Sequence, residues 1–144
     1  MEKINLARVL IGGLIASLVF IVIEVIVEGV LNLIIGFNEA DLAREYFPQI
    51  VLSGARYQII NIIYLVASCT LAVWLYAALL PKFGSGFKTA IISSILIIFA
   101  IFLFILNNIN MGIFPLKPAL ISLALGIAEF PVSIVAGAGI YRAG

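Results

Sequence analysis

Apolar residues fill four long stretches of this chain almost without interruption: Leu6 to Ile35, Gly54 to Leu80, Lys88 to Asn108 and Pro118 to Arg142. Each exceeds the ~20 residues that an α-helix needs to cross ~30 Å of hydrocarbon. Periodicity alone does not separate helix from strand in such runs, but their length does. An open sheet would leave its backbone unsatisfied in lipid. The pattern therefore predicts an all-α polytopic membrane protein: four transmembrane helices in an antiparallel bundle, forming one domain over the whole chain.

The connections carry helix punctuation. Gly36 closes the first span. Asn38-Glu39-Ala40-Asp41 reads as an N-cap with an acid three positions on. It opens a short amphipathic helix in the first loop, which stops before Pro48 and lies on the membrane surface. Pro81 to Gly86 form a tight hairpin, and Met111 to Pro118 turn the third span into the fourth. Gly84-Ser85-Gly86 lacks the lysine and preceding strand of a phosphate loop, so it is a turn. Lys3 and Arg8 precede the first run as in a signal peptide. That run is too long and lacks a small-residue cleavage site, so it reads as an uncleaved span.

Composition agrees. The chain has 144 residues, 65% hydrophobic and 10% charged, with mean hydropathy +1.30, whereas soluble domains are about half apolar and roughly a quarter charged. A small core has no room for so much apolar surface, and the lipid bilayer is the expected partner. Net charge is +1 with no histidine. Nothing invites nucleic acid, and the commonest metal ligand and general base is missing. Cys69 has no second cysteine to pair with. No cofactor, metal or catalytic residue is expected, and the chain does not read as an enzyme.

Lysines and arginines set the orientation. Lys3, Arg8, Lys82, Lys88 and Arg142 fall on one side, and Arg44, Arg56 and Lys117 on the other, so both termini are expected to be cytoplasmic. Trp74, Tyr76, Phe83 and Phe87 would form the inner aromatic belt, with Tyr46, Phe47 and Tyr57 near the outer face.

The informative residues are the polar ones inside the spans. Glu24, Glu28 and Asn32 recur at intervals of four, on one face of the first helix. Glu129 lies within the fourth. At 1.5 Å rise per residue, Glu24 lies ~18 Å below Gly36 and Glu129 ~17 Å below Pro118, which places both at one level. Acids at such depth face the bundle interior or water, and two together favour a shared proton. Tyr57, Asn61, Tyr64 and Ser68 descend one face of the second span, and Arg56 is placed to reach Glu28. Asn107, Asn108 and Asn110 crowd the outer end of the third. The expectation is a polar seam that enters from the outer face and stops at mid-membrane, a proton or ligand site. The alternative is that the acids are hydrogen-bonded struts that fix helix register.

Small residues point to close packing: Gly12-x-x-x-Ala16 and Gly13-x-x-x-Ser17 in the first span, Gly126 and Gly137 in the fourth. Pro131 leaves a carbonyl near Ile127 without its helical partner, close to Glu129. It and the glycines read as packing devices more than as a hinge.

Trp74-Leu75-Tyr76-Ala77 followed by Pro81-x-Phe83-Gly84-x-Gly86-x-x-Thr89-Ala90, with the early Gly12-Gly13 ahead of Glu24 and with Glu129-Phe130-Pro131, resembles a pattern in small, uncharacterised bacterial four-helix membrane proteins. The resemblance covers nearly the whole chain and implies a bacterial inner-membrane location, with no known activity. Members of that group often carry a tryptophan before the helix-four glutamate, which Leu125 to Ala128 do not supply. The first loop has no matching motif.

Three functions fit these residues. The leading one is an accessory or structural subunit, packing against another membrane protein or itself, which accounts for the tiny loops and the lack of catalytic groups. A carboxylate-based proton- or cation-coupled transporter or channel would use Glu24, Glu28 and Glu129. Small four-helix multidrug exporters use an acid in their first helix similarly, but they are shorter and carry motifs absent here. An enzyme acting on lipid has only the carboxylates to work with and ranks last.

Overall fold

The computed structural model describes residues 4–47 and 55–143, with only the backbone described for Glu39, Ala40, Ala43, Tyr57 and Ala143. Lys3, Pro48 and Gly54 lie outside the described residues. All elements among the described residues are helices: α1 (Leu6–Ile35), α2 (Glu39–Tyr46), α3 (Ala55–Phe83), α4 (Phe87–Asn110) and α5 (Leu116–Ala143). The four long ones are long and apolar enough to cross a membrane. Side chains such as Leu14, Val25, Ile63, Phe99, Phe104 and Val132 point outward on all four. This is the surface of a small multi-pass membrane protein.

The helix ends follow local chemistry. The Asn5 side chain caps α1 by accepting from the Arg8 N–H at 3.2 Å. Gly36 ends α1 at φ 66°, a left-handed conformation that favours glycine. Asn38 caps α2, its Oδ1 accepting from the Asp41 N–H at 3.1 Å. Two prolines expected in turns instead lie inside helices. Pro81 sits in the last turn of α3, where one missing N–H does not stop a helix. The helix closes when the Gly84 N–H donates to the Leu80 carbonyl at 2.9 Å. Pro118 is the third residue of α5, where no N–H has an intrahelical partner anyway. The Ala119 N–H makes the early bond there, to the Pro115 carbonyl at 3.3 Å.

The long helices form a ring in the order α1, α3, α4, α5, with α1–α5 the most extensive interface and α3–α5 meeting across the diagonal. Gly12 meets Gly137 and Gly13 meets Thr70, so the N-terminal part of α1 lies beside the C-terminal parts of α3 and α5. Neighbours are therefore antiparallel. The amphipathic helix α2 is also anchored to this bundle. Phe47 packs edge-on against Phe114 at 6.5 Å, and the Lys117 ammonium lies 5.9 Å from the Tyr46 ring centroid.

Burial is concentrated toward the end of the bundle that holds the start of α1 and the end of α5. There the buried positions come as adjacent pairs four residues apart: Gly12-Gly13 and Ala16-Ser17, Ala72-Val73 and Tyr76-Ala77, Thr89-Ala90 and Ser93-Ser94, Ser133-Ile134 and Gly137-Ala138. Such spacing forms one ridge along each helix, and small residues let the ridges approach closely. A side chain at Gly12 would begin 2.8 Å from the Gly137 carbonyl oxygen, and one at Gly137 would collide with the Gly12 carbonyl. This reciprocal contact suits paired Cα–H···O interactions. Gly126 differs from the sequence expectation of a packing residue, because a side chain added there would meet nothing within 4 Å.

Gly137→Val and Gly12→Leu are expected to destabilise the bundle by about 1–3 kcal/mol, the cost of overpacking. Gly126→Ala should change stability by less than about 0.5 kcal/mol. Unfolding in mild detergent measures all three, and equal effects at the three positions would contradict the crossing geometry.

Candidate functional site

Above the small-residue core, α1 and α5 continue side by side and carry larger and more polar residues. Phe20 and Phe130 meet edge-on, ring centroids 6.3 Å apart, and fix the register of the two helices. One turn beyond Phe20 comes Glu24, and immediately before Phe130 comes Glu129. Glu129 is only 4% exposed. Its backbone carbonyl accepts from the Ser133 hydroxyl at 3.0 Å.

The side chains enclose a cavity of about 80 Å³ lined by Phe20, Glu24, Val27 and Glu28 from α1, Phe37 from the following loop, and Ser122, Leu125, Gly126 and Glu129 from α5. That space holds a few waters or one small ion. Three carboxylates and no lysine or arginine line it. None of the three acids lacks an interacting partner. The level calculated from helical rise for Glu24 and Glu129 is the level at which both meet this cavity.

The rest of the expected seam is distributed elsewhere. Asn32 is exposed and donates from its side-chain amide to the Phe37 carbonyl at 3.1 Å, securing the loop after α1. Arg56 and Asn61 are exposed on α3, and neither lines the carboxylate cavity. Tyr64, 58% exposed, joins Ser68 in lining a second, mostly apolar chamber of about 280 Å³ with Leu65, Ile98, Ile101 and Leu123. Of Tyr57 only the backbone is described. Asn107 and Asn108 bond within the end of α4, to Met111 Sδ at 3.5 Å and to the Phe104 carbonyl at 2.8 Å. The polar face of α3 is thus a neighbour of the carboxylate cavity and not one of its walls.

Three residues join the two spaces, Phe20, Ser122 and Gly126, of which sequence reasoning singled out only Gly126, and that for packing. Phe20 precedes Glu24 by one helical turn. Ser122, Gly126 and Glu129 follow i, i+4, i+7 spacing, a signal that was present in the sequence. The missing side chain at Gly126 keeps the two spaces close.

The donor set limits the chemistry. It holds oxygen donors only, suited to a proton or an organic cation. Among the described residues, no group of three His, Cys, Asp or Glu is gathered to hold a metal ion. Pro131 lies within an unbroken α5 and is half-buried. Cys69 is fully buried in the packed core with Ala16, Val73 and Ile134 and lines neither space.

In folded protein Cys69 is expected to resist maleimide. Ser122→Cys in a Cys69→Ala background should react readily, because Ser122 is exposed on the cavity wall. Mass spectrometry of the labelled protein reads both, and rapid labelling of native Cys69 would contradict its placement. The chain matches no protein-family model, no curated protein and no solved structure.

Proposed function

We propose that this membrane protein binds cations, protons among them, at the Glu24–Glu28–Glu129 cavity and couples their exchange to movement of an amphiphilic cation across the membrane. The single observation that carries this reading is the adjacency of two spaces: a carboxylate cavity and a larger apolar chamber that share Phe20, Ser122 and Gly126. A molecule with a positive centre and an apolar body matches that pair. Its charge offsets the carboxylates and its body fills the chamber.

The energetics favour such an occupant. An ionised carboxylate within the bilayer costs at least ~2.5 kcal/mol, so three in one cavity call for a compensating proton or cation. A proton and an organic cation that compensate the same acids exclude each other, and that competition is the basis of exchange. The Lys/Arg bias supports placing the acidic end away from the cytoplasm. An accessory-subunit role remains the second reading, supported by the apolar outer faces and minimal loops.

Tetraphenylphosphonium serves as the probe. Titration calorimetry of the detergent-solubilised protein should show binding that weakens as pH falls, because protonation removes the negative charge that holds the cation. Glu24→Gln and Glu129→Gln should each weaken binding by about tenfold or more, in line with removal of one partner of a buried charge pair. Both variants should keep wild-type gel-filtration profiles and helical content. Binding by folded Gln variants at wild-type affinity, or binding indifferent to pH, would sink the proposal.

A further inference from the structure

Gly126 stands in α5 without the usual structural reasons for a glycine. It lies inside an unbroken helix, one turn before Phe130. Its backbone is not left-handed: the positive-φ glycines among the described residues are Gly36, Gly84 and Gly112. A side chain at Gly126 would meet nothing within 4 Å, whereas one at Gly12 or Gly137 would run into the neighbouring helix. Glycine is also a poor helix former. Neither backbone conformation nor helix crossing calls for it here. What the position preserves is open space.

That space lies where the two cavities adjoin. Phe20, Ser122 and Gly126 line both the carboxylate cavity and the apolar chamber. Of the three, only Gly126 presents bare backbone. Across the junction, Phe20 on α1 is held edge-on by Phe130 at 6.3 Å, and Phe130 is itself buried. The α1 side is therefore anchored. The width of the junction is set on α5, where Ser122 and Gly126 stand one turn apart on one face.

The two spaces suit different parts of a ligand. The carboxylate cavity has about 80 Å³. The chamber has about 280 Å³, and none of the residues lining it is charged. A small cation needs only the first. A cation with a bulky apolar body must occupy the second as well and span the junction between them. We propose that Gly126 is a specificity-determining residue of the cation site. Its missing side chain keeps the junction wide enough for a bulky apolar body, and a larger residue there restricts the site to small ammonium ions. This assignment rests on the cation-binding reading of Glu24, Glu28 and Glu129. Gly29 provides the comparison: it is exposed on α1, a side chain there also meets nothing within 4 Å, and it lines neither space.

Two probes separate the ligand classes in the full-length, detergent-solubilised protein. Tetraphenylphosphonium is followed by titration calorimetry and methylammonium by saturation-transfer NMR. Gly126→Leu should weaken tetraphenylphosphonium binding by about tenfold or more, while methylammonium binding stays within about twofold of wild type. Gly126→Ala, which adds one methyl group, should lose less. Ser122→Leu narrows the same junction and should repeat the pattern of Gly126→Leu. Gly29→Leu should bind both probes as wild type does. Leucine is a better helix former than glycine or serine, so all these variants should keep the wild-type melting temperature and gel-filtration profile. Undiminished tetraphenylphosphonium binding by Gly126→Leu and Ser122→Leu, or an equal loss in Gly29→Leu, would overturn the proposal and leave the carboxylate reading standing. Parallel loss of both probes in Gly126→Leu would also overturn it, because the added bulk would then act on the acids and not on ligand size. A wild type that binds neither probe would overturn the carboxylate reading and this proposal together.

Discussion

The backbone contact between Gly12 and Gly137 is the constraint on which the remaining structure depends. Helices in lipid gain little from hiding apolar surface from one another, because the surrounding chains are equally apolar. Close approach must supply the attraction through dispersion, and dispersion falls steeply with separation. Two glycines facing each other, with Gly13 against Thr70 beside them, permit that approach. They also fix where α1 and α5 cross, and hence which residues further along the two helices meet.

Everything above the crossing follows from it. The register places Phe20 against Phe130, and with them Glu24 beside Glu129 at the same cavity. Side chains become larger from Phe20 onward on α1, so the helices cannot approach as they do at Gly12. Space then remains between α1 and α5 and toward α3 and α4. The cavities thus reflect where the small residues stop. The core hydroxyls of Ser17, Ser93, Ser94 and Ser133 each donate to a carbonyl of their own helix, at 2.7–3.0 Å.

Much of the fold was legible because span length and the demands of lipid leave few alternatives. The ends at Pro81 and Pro118 were misplaced because proline is tolerated in a helix's first turn and survivable in its last. The site was legible in depth but not in direction. Helical rise placed Glu24 and Glu129 at one level, but rotation about the helix axis is weakly encoded when lipid-facing and core-facing residues are both apolar. That is why Asn61 and Tyr64, which share a face of α3, do not line the cavity of the acids. The paired small residues carried the missing direction. In α1 they were visible as Gly12-Gly13 and Ala16-Ser17, but their counterparts in α3 and α4 include Val73, Tyr76 and Thr89, which composition alone does not mark as packing positions.

The Ser17 and Ser133 hydroxyls beside the Gly12–Gly137 crossing donate to carbonyls of their own helices, so the contact of α1 with α5 there is one of glycine backbones. Its grip is steric and smooth, so it constrains distance much more than angle. Glu28 lies 16 residues beyond Gly12, a lever arm of about 24 Å at helical rise. Rocking α1 by roughly 5° about the Gly12–Gly137 contact would shift the Glu28 level by about 2 Å, a distance comparable to the radius of a water-filled passage. The molecule is thus built as a pair of tongs, pinned at the glycines, with its acids near the tips.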